Sequence, residues 1–444
     1  MLRLLLPTLL LLGTTLATTI PAPNNDPFYT PPSGFQYAKP GTVFKDRSVP
    51  SGYPGVKAVQ ILYRTTYVNG SAAATVATIL TNSTSSGKKL VAYSEPEDSA
   101  NTTCAPSYAF STNNSASLGS DVTTGLSYGW TLMISDYEGI NSAFGSGRQE
   151  GYAVLDGLRA ALNYKPAGVN KKAKLAGYGY SGGAIATGWA ASLHPTYAPE
   201  LDIVGWAFGG TPANITSTLQ NVDGTLFAGY AFAGVSGTMA GYPAIAARFN
   251  EVATAEGQAA ITTVRNQCSE ANLDDFYDQV LQSTTYQTLG SQLLYDPTIA
   301  TALKNGTMAL NKKETPTAPV YMYHGQADEV IPYASAVEAA HTWCTFGASV
   351  NFVSETGGTG HVGTADVLLG NATSWLDLRL DGIAAAKGCH NVSYAATGSP
   401  QKRSAFGDAI EKYGVGDEKI IADIQQKRTD GQQARSLWSY LSSA

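Results

Sequence analysis

Hydrophobic and polar positions along the chain change period several times. Residues 56–65 (VKAVQILYRT) and 72–81 (AAATVATILT) are β-rich runs, and Val68-Asn69-Gly70 between them is a hairpin signal. Residues 89–94 (KLVAYS) and 131–136 (TLMISD) read as short apolar strands. Residues 150–162 carry apolar side chains at helical spacing. A strand at 174–178 (KLAGY) is followed by a helix over 183–193. The strand pattern returns at 203–208 (IVGWAF), 319–324 (PVYMYH) and 350–353 (VNFV). Strands alternating with helices predict a mostly parallel sheet covered on both faces, an α/β fold.

The interval between Phe208 and Pro319 breaks this rhythm. It opens with the turn cluster Gly209-Gly210-Thr211-Pro212 and continues through small apolar residues at 227–235 (FAGYAFAGV). Amphipathic stretches then run to Leu303. The pattern predicts a helical cap inserted over 213–308, dividing a core of 18–212 and 309–399; the alternative is a larger helical layer of the same core. The charged segment 400–444 reads as a flap or tail with a helix at 418–441. At the other end, Arg3, the apolar run 4–12 and Thr15-Leu16-Ala17 have the form of a signal peptide over 1–17. That run is too short to span a bilayer, so no transmembrane anchor is expected. Residues 18–32, rich in Pro, Thr and Asn, read as an extended arm leading into the fold.

Composition narrows the setting. A net charge of −6 without a basic run argues against nucleic acid and against an anionic membrane patch as partners. Export is supported by Asn-X-Ser/Thr sequons at Asn69, Asn82, Asn101, Asn113, Asn214, Asn305, Asn371 and Asn391. The four cysteines form an even set, suited to two disulfides. Of the three pairings, Cys104–Cys268 with Cys344–Cys389 is favoured, since the second pair is close in sequence and flanks one C-terminal sheet region. A zinc site is the weaker reading, because no CxxC or His-x-x-His spacing appears. No metal or cofactor is expected, and the chain reads as a secreted monomer.

The candidate chemistry centres on Gly179-Tyr180-Ser181-Gly182-Gly183. The G-x-S-x-G pattern alone is common by chance, but here a strand precedes it and a small-residue helix follows. A nucleophilic serine in such a turn needs a strained backbone, and side chains at 179 and 183 would collide with neighbours. Of the five histidines, His361 is the candidate base: it follows the Gly-rich loop 356–360, after the last predicted strand. His324 ends a strand and reads as a structural neighbour. The acid that fixes the imidazole tautomer is Asp328, in His324-Gly325-Gln326-Ala327-Asp328, with Glu329 as the alternative. Oxyanion donors are expected from the backbone N–H of Gly182 and from the acidic loop 95–99, which holds Asp98.

Several stretches add a resemblance. Glu97-Asp98-Ser99, Cys104 to Tyr108, Ser135-Asp136-Tyr137-Glu138-Gly139, Gly179 to Ala184, Gly209 to Pro212 and Phe227-Ala228-Gly229 resemble the fungal secretory lipase family. So do Ala233 to Gly237, Asp328-Glu329 and Ser404-Ala405-Phe406-Gly407. The resemblance implies an α/β-hydrolase core, a helical cap over an acyl tunnel and a C-terminal flap. It also implies a Ser181–His361–Asp328 triad with Asp98 and Gly182 at the oxyanion hole. The expected substrate is a triacylglycerol or other carboxylic ester. A short-chain esterase, an acyltransferase and a secreted peptidase on the same triad, or a catalytically dead binding protein, stand as alternatives.

Overall fold

The structure is a computed structural model and describes residues 20–112 and 120–396. The expected signal peptide, the tail with its helix at 418–441 and the Asn113 sequon lie outside the described residues.

Ten strands among the described residues form one sheet: β1 (Val43–Val49), β2 (Lys57–Thr66), β3 (Ala72–Thr81), β4 (Lys89–Ser94), β5 (Thr131–Ser135), β6 (Lys174–Tyr180), β7 (Ile203–Gly209), β8 (Val320–Gly325), β9 (Val350–Glu355) and β10 (His390–Tyr394). Their spatial order is β1-β2-β3-β5-β4-β6-β7-β8-β9-β10. β1, β2 and β3 form an antiparallel meander, and from β5 to β10 every pairing is parallel. The β2–β3 turn falls on residues 67–71, where Gly70 takes a φ of 83° that glycine adopts without steric cost.

Alternate residues of the central strands face two separate apolar layers, as the two-residue strand period requires. Leu90, Leu175, Trp206 and Val320 point toward α3 (Gly147–Asn163) and α4 (Gly182–Tyr197). Val91, Ala176, Ala207 and Tyr321 pack on the other face, against α12 (Gly360–Leu380). Covered on both faces, these strands read as continuous apolar runs rather than alternating ones. Between β7 and β8 lie six helices: α5 (Ile215–Val222), α6 (Ala228–Gly241), α7 (Pro243–Val252), α8 (Ala255–Val264), α9 (Ser269–Asp275) and α10 (Pro297–Asn305). Their buried residues, Phe232, Phe249 and Leu273 among them, join the α3/α4 layer in one contiguous core. These six helices therefore share the hydrophobic interior of the sheet. α1 (Pro106–Ser111), α2 (Ser120–Ser127) and α11 (Tyr333–Thr345) complete the α-helices among the described residues.

Three expectations change. β1 and β10 carry no legible strand pattern because they are the sheet's edges. β10 is exposed along almost its whole length, so nothing selects apolar residues there. Residues 23–29 are not an extended arm. Pro23 and Pro27 each open a 3-10 turn, and Asp26 between them pairs with Arg47 of β1. Third, His361 does not sit in a loop; it lies in the first turn of the 21-residue helix α12. The disulfides are Cys104–Cys268 and Cys344–Cys389, the favoured pairing. The first ties the segment after β4 to the start of α9, and the second ties α11 to the start of β10. The layered, mostly parallel sheet with its elbow after β6 is the α/β-hydrolase arrangement.

Candidate active site

Ser181 stands between β6 and α4 with φ 53° and ψ −123°. A non-glycine residue at positive φ is costly, and its neighbours hold it there. A Cβ on Gly179 would strike the Gly183 carbonyl, and one on Gly183 would strike the Ser94 carbonyl of β4. Both glycines let the chain turn tightly enough to project the Ser181 hydroxyl into a cleft. The Ser181 N–H donates to Gly209 O at the end of β7, 3.0 Å away.

His361 reaches the serine from the opposite side. Its Nε2 lies 2.9 Å from Ser181 Oγ, and its Nδ1 lies 2.8 Å from Asp328 Oδ2. A carboxylate only accepts, so Nδ1 carries the hydrogen and Nε2 is left to accept the serine proton. Asp328 follows β8 and its carboxylate is buried; Oδ1 accepts the N–H groups of Val330 at 3.0 Å and Ile331 at 2.8 Å. Burial favours the neutral carboxyl, but His361 and His324 outweigh it and hold Asp328 well below the usual carboxylate range. For His361 burial opposes the charge, while Asp328, Glu329 and Asp98 favour it, and the net effect raises its pKa. Glu329, the alternative acid, takes a different role: its Oε2 accepts the backbone N–H of His361 at 2.8 Å.

The Gly-rich run before His361 is braced. Glu355 accepts N–H groups from Gly357 and Thr359 and the Thr359 hydroxyl. Tyr180, next to Ser181, donates its hydroxyl to the His361 carbonyl at 2.7 Å. The G-x-S-x-G pattern marked the serine, but gave no sign that its second residue anchors the histidine from across the sheet. His324, read as a neighbour, also contacts Asp328: its Nε2 is 3.0 Å from Oδ2.

Gly182 is the first residue of α4, so its N–H has no partner within the helix and lies at the positive end of the helix dipole. Asp98 follows β4 with φ 50°, and its carboxyl fills the space that a Gly182 side chain would take. Burial pushes Asp98 up to about 6, against the pull of His361. The loop 95–99 is fixed from below by Tyr137, whose hydroxyl donates to Glu95 O at 2.6 Å and accepts the Glu97 N–H at 3.2 Å.

From Ser181 a narrow cleft of about 50 Å³ runs beneath the helices between β7 and β8. Its walls are overwhelmingly apolar, with Ile215, Leu219 and Val222 of α5, Ile185 of α4 and Ile331. Gly234 of α6 leaves one wall open.

A family model described as "Secretory lipase" matches residues 113–388. A secreted triacylglycerol lipase of Malassezia furfur is 40% identical over 354 residues, covering 77% of this chain and 75% of the relative. One of Malassezia restricta is 37% identical over 433 residues, covering 91% and 92%. Among solved structures, Candida antarctica lipase A in its closed state superposes with a TM-score of 0.79 at 31% identity, over 85% of this chain and 91% of that one. With more than half its length inside the family model and relatives matched over most of theirs, the chain belongs to the secretory lipase family.

Proposed function

We propose that this protein is a secreted serine lipase that hydrolyses triacylglycerols and related carboxylic esters through an acyl-serine intermediate. Ser181 is the nucleophile, His361 the general base and Asp328 the acid that orients it. The N–H groups of Gly182 and Asp98 stabilise the oxyanion. The observation that carries this reading is the unbroken hydrogen-bond chain from Ser181 through His361 to Asp328, opening into an apolar cleft.

The chemistry follows from that chain. His361 Nε2 takes the hydroxyl proton as Ser181 Oγ attacks the ester carbonyl, and the carbonyl π electrons move onto oxygen. Collapse of the tetrahedral intermediate expels the alcohol, which takes the proton from the imidazolium. Water then repeats the cycle on the acyl-serine and releases the fatty acid. Asp328 stays ionised throughout and stabilises the imidazolium. The apolar walls receive the acyl chain; at about 25 cal/mol per Å² of buried apolar surface, they favour long chains over acetyl or butyryl. The helices over 213–308 serve as the cap on this cleft, and residues 1–17 direct export. The names of the Malassezia relatives, secreted triacylglycerol lipases, support both substrate and location.

The test is a chain-length profile with triacylglycerols and p-nitrophenyl esters, run beside Ser181→Ala. Activity on long-chain esters that drops by on the order of 10⁴-fold or more in the variant is expected. Turnover of acetyl and butyryl esters alone would reduce the reading to an esterase. A fully active Ser181→Ala would overturn it.

A further inference from the structure

Asp328 is held by two imidazoles. Besides the Nδ1–H of His361, its Oδ2 lies 3.0 Å from Nε2 of His324, whose side chain is fully buried in β8. The ring's other nitrogen fixes the tautomer. Nδ1 of His324 faces the backbone N–H of Thr211 at 3.3 Å and must accept. Nε2 faces two obligate acceptors, the Ile331 carbonyl and Asp328 Oδ2, each at 3.0 Å, so it must donate, and its single N–H is shared between them. With Oδ1 taken by the Val330 and Ile331 amides, the carboxylate is saturated and has one orientation. His324 also reaches the Ser181 side: Thr211 lies two residues beyond Gly209, the last residue of β7, whose O accepts the Ser181 N–H.

We propose that His324 is a positioning residue for the hydrolytic reaction: its Nε2–H keeps Oδ2 of Asp328 aimed at His361, while its Nδ1 locks that acid to the turn behind Ser181. This rests on the triad reading above. A carboxylate free to rotate would meet the imidazolium in several geometries, and a misplacement of about 1 Å can cost roughly a hundredfold in rate. The groups facing the two rings are few. His324 meets Asp328, the Thr211 amide, the Ile331 carbonyl and the ring of Tyr333. His361 meets Asp328, Glu329, Asp98 and Tyr180.

Two substitutions separate positioning from packing. His324→Gln places an amide nitrogen near the Nε2 position and keeps the donor to Asp328. His324→Asn keeps an acceptor near Nδ1 and loses that donor. In His324→Asn, kcat is expected to fall roughly ten- to a hundredfold with KM unchanged. The acidic limb of kcat/KM should move to higher pH, because a less neutralised Asp328 holds the imidazolium more strongly. His324→Gln should recover most of the rate and the wild-type limb. Wild-type activity in both variants, or an equal loss in both with the limb unmoved, overturns the proposal. The ¹⁵N imidazole spectrum of the wild type decides independently of how the variants fold: His324 must show a protonated Nε2 and a bare Nδ1, and the opposite tautomer overturns it. Asp328→Asn belongs in the same series. If it stays active, the triad reading fails; if it is inactive while both His324 variants are normal, the positioning role alone fails.

Discussion

Glu329 Oε2 accepts the backbone N–H of His361 at 2.8 Å, so the residue beside Asp328 holds His361 by its main chain. The first N–H groups of a helix have no partner inside it, and α12 has no side-chain cap from its own N-cap residue, Thr359. A carboxylate from β8's exit loop supplies the acceptor and complements the helix dipole. Its charge also helps to raise the pKa of His361.

These two effects separate by mutation. Glu329→Gln keeps an acceptor and removes the charge. His361 then deprotonates at lower pH, and because the reaction needs neutral imidazole, the acidic limb of kcat/KM moves to lower pH with the plateau little changed. Glu329→Ala also removes the acceptor and should lower the plateau roughly tenfold or more, the cost of an unpaired buried N–H being about 1–3 kcal/mol. Equal plateaus for the two variants would show that the bond to His361 is dispensable.

Gly234 sets the width of the cleft. A Cβ there would meet Leu219 and Phe144 only at ordinary contact distances, 3.7 and 4.0 Å, so alanine fits. Removing a helix-interior glycine favours the helix by up to about 1 kcal/mol. Gly234→Ala is expected to keep or raise Tm. Gly234→Leu sends a larger side chain toward the cleft and should cut kcat/KM for palmitoyl esters at least tenfold relative to butyryl esters. An unchanged chain-length profile would mean that acyl chains take another route.

The sequence revealed the parts of this site that have a local signature. Ser181 is legible because a nucleophile elbow needs glycines at fixed offsets, and Asp328 because it follows a strand by a short turn. The central strands were legible because burial on both faces leaves apolar runs. The edge strands β1 and β10 were not, since β1 is only partly buried and β10 is exposed, which weakens that selection. Nor were the partners that hold the triad. His324 and Glu329 stand close to Asp328 in sequence, but nothing local shows that the ring also meets the Thr211 amide or that the carboxylate takes the His361 N–H, and only the order of the strands brings Tyr180 to the carbonyl of His361. The Gly-rich run before His361 suggested a loose loop. Glu355, at the end of β9, turns it into a braced lead-in to a helix.

Glu97, Glu138 and Glu150 lie buried near the loop 95–99, and burial above all pushes the three well above the usual carboxylate range, helped by repulsion from Asp136 and Glu150 at Glu97, from Glu97 and Glu150 at Glu138, and from Asp98 at all three. A carboxyl with a raised folded pKa contributes stability that is complete below its unfolded value of about 4.5 and is lost as pH rises through the folded value. Asp328, held low, acts oppositely and loses its contribution only in strong acid. Tm should therefore be highest at mildly acidic pH and fall as the solution becomes alkaline. Glu138→Gln, neutral at every pH, should flatten that fall. A Tm that rises from pH 5 to 9 would contradict this.

The two disulfides should differ in what their loss does. Cys104–Cys268 closes a chain separation of 164 residues and Cys344–Cys389 one of 45. Loop-closure entropy ranks them at about 5 and about 4 kcal/mol, upper values that real proteins often undershoot. Their positions matter more. The first joins the segment that continues from the loop 95–99 to the start of α9, whose neighbour α6 borders the cleft. The second joins α11 to an exposed edge strand far along the sheet from β4 and β6. Replacing Cys104 and Cys268 by serine should lower Tm and also reduce kcat/KM on long-chain esters, because the roof of the cleft is released from the oxyanion side. Replacing Cys344 and Cys389 should lower Tm and leave kcat/KM per folded molecule within about twofold. The comparison needs only melting curves and esterase assays on the two double variants, well below either Tm. If both lose activity alike, the first disulfide has no special hold on the site.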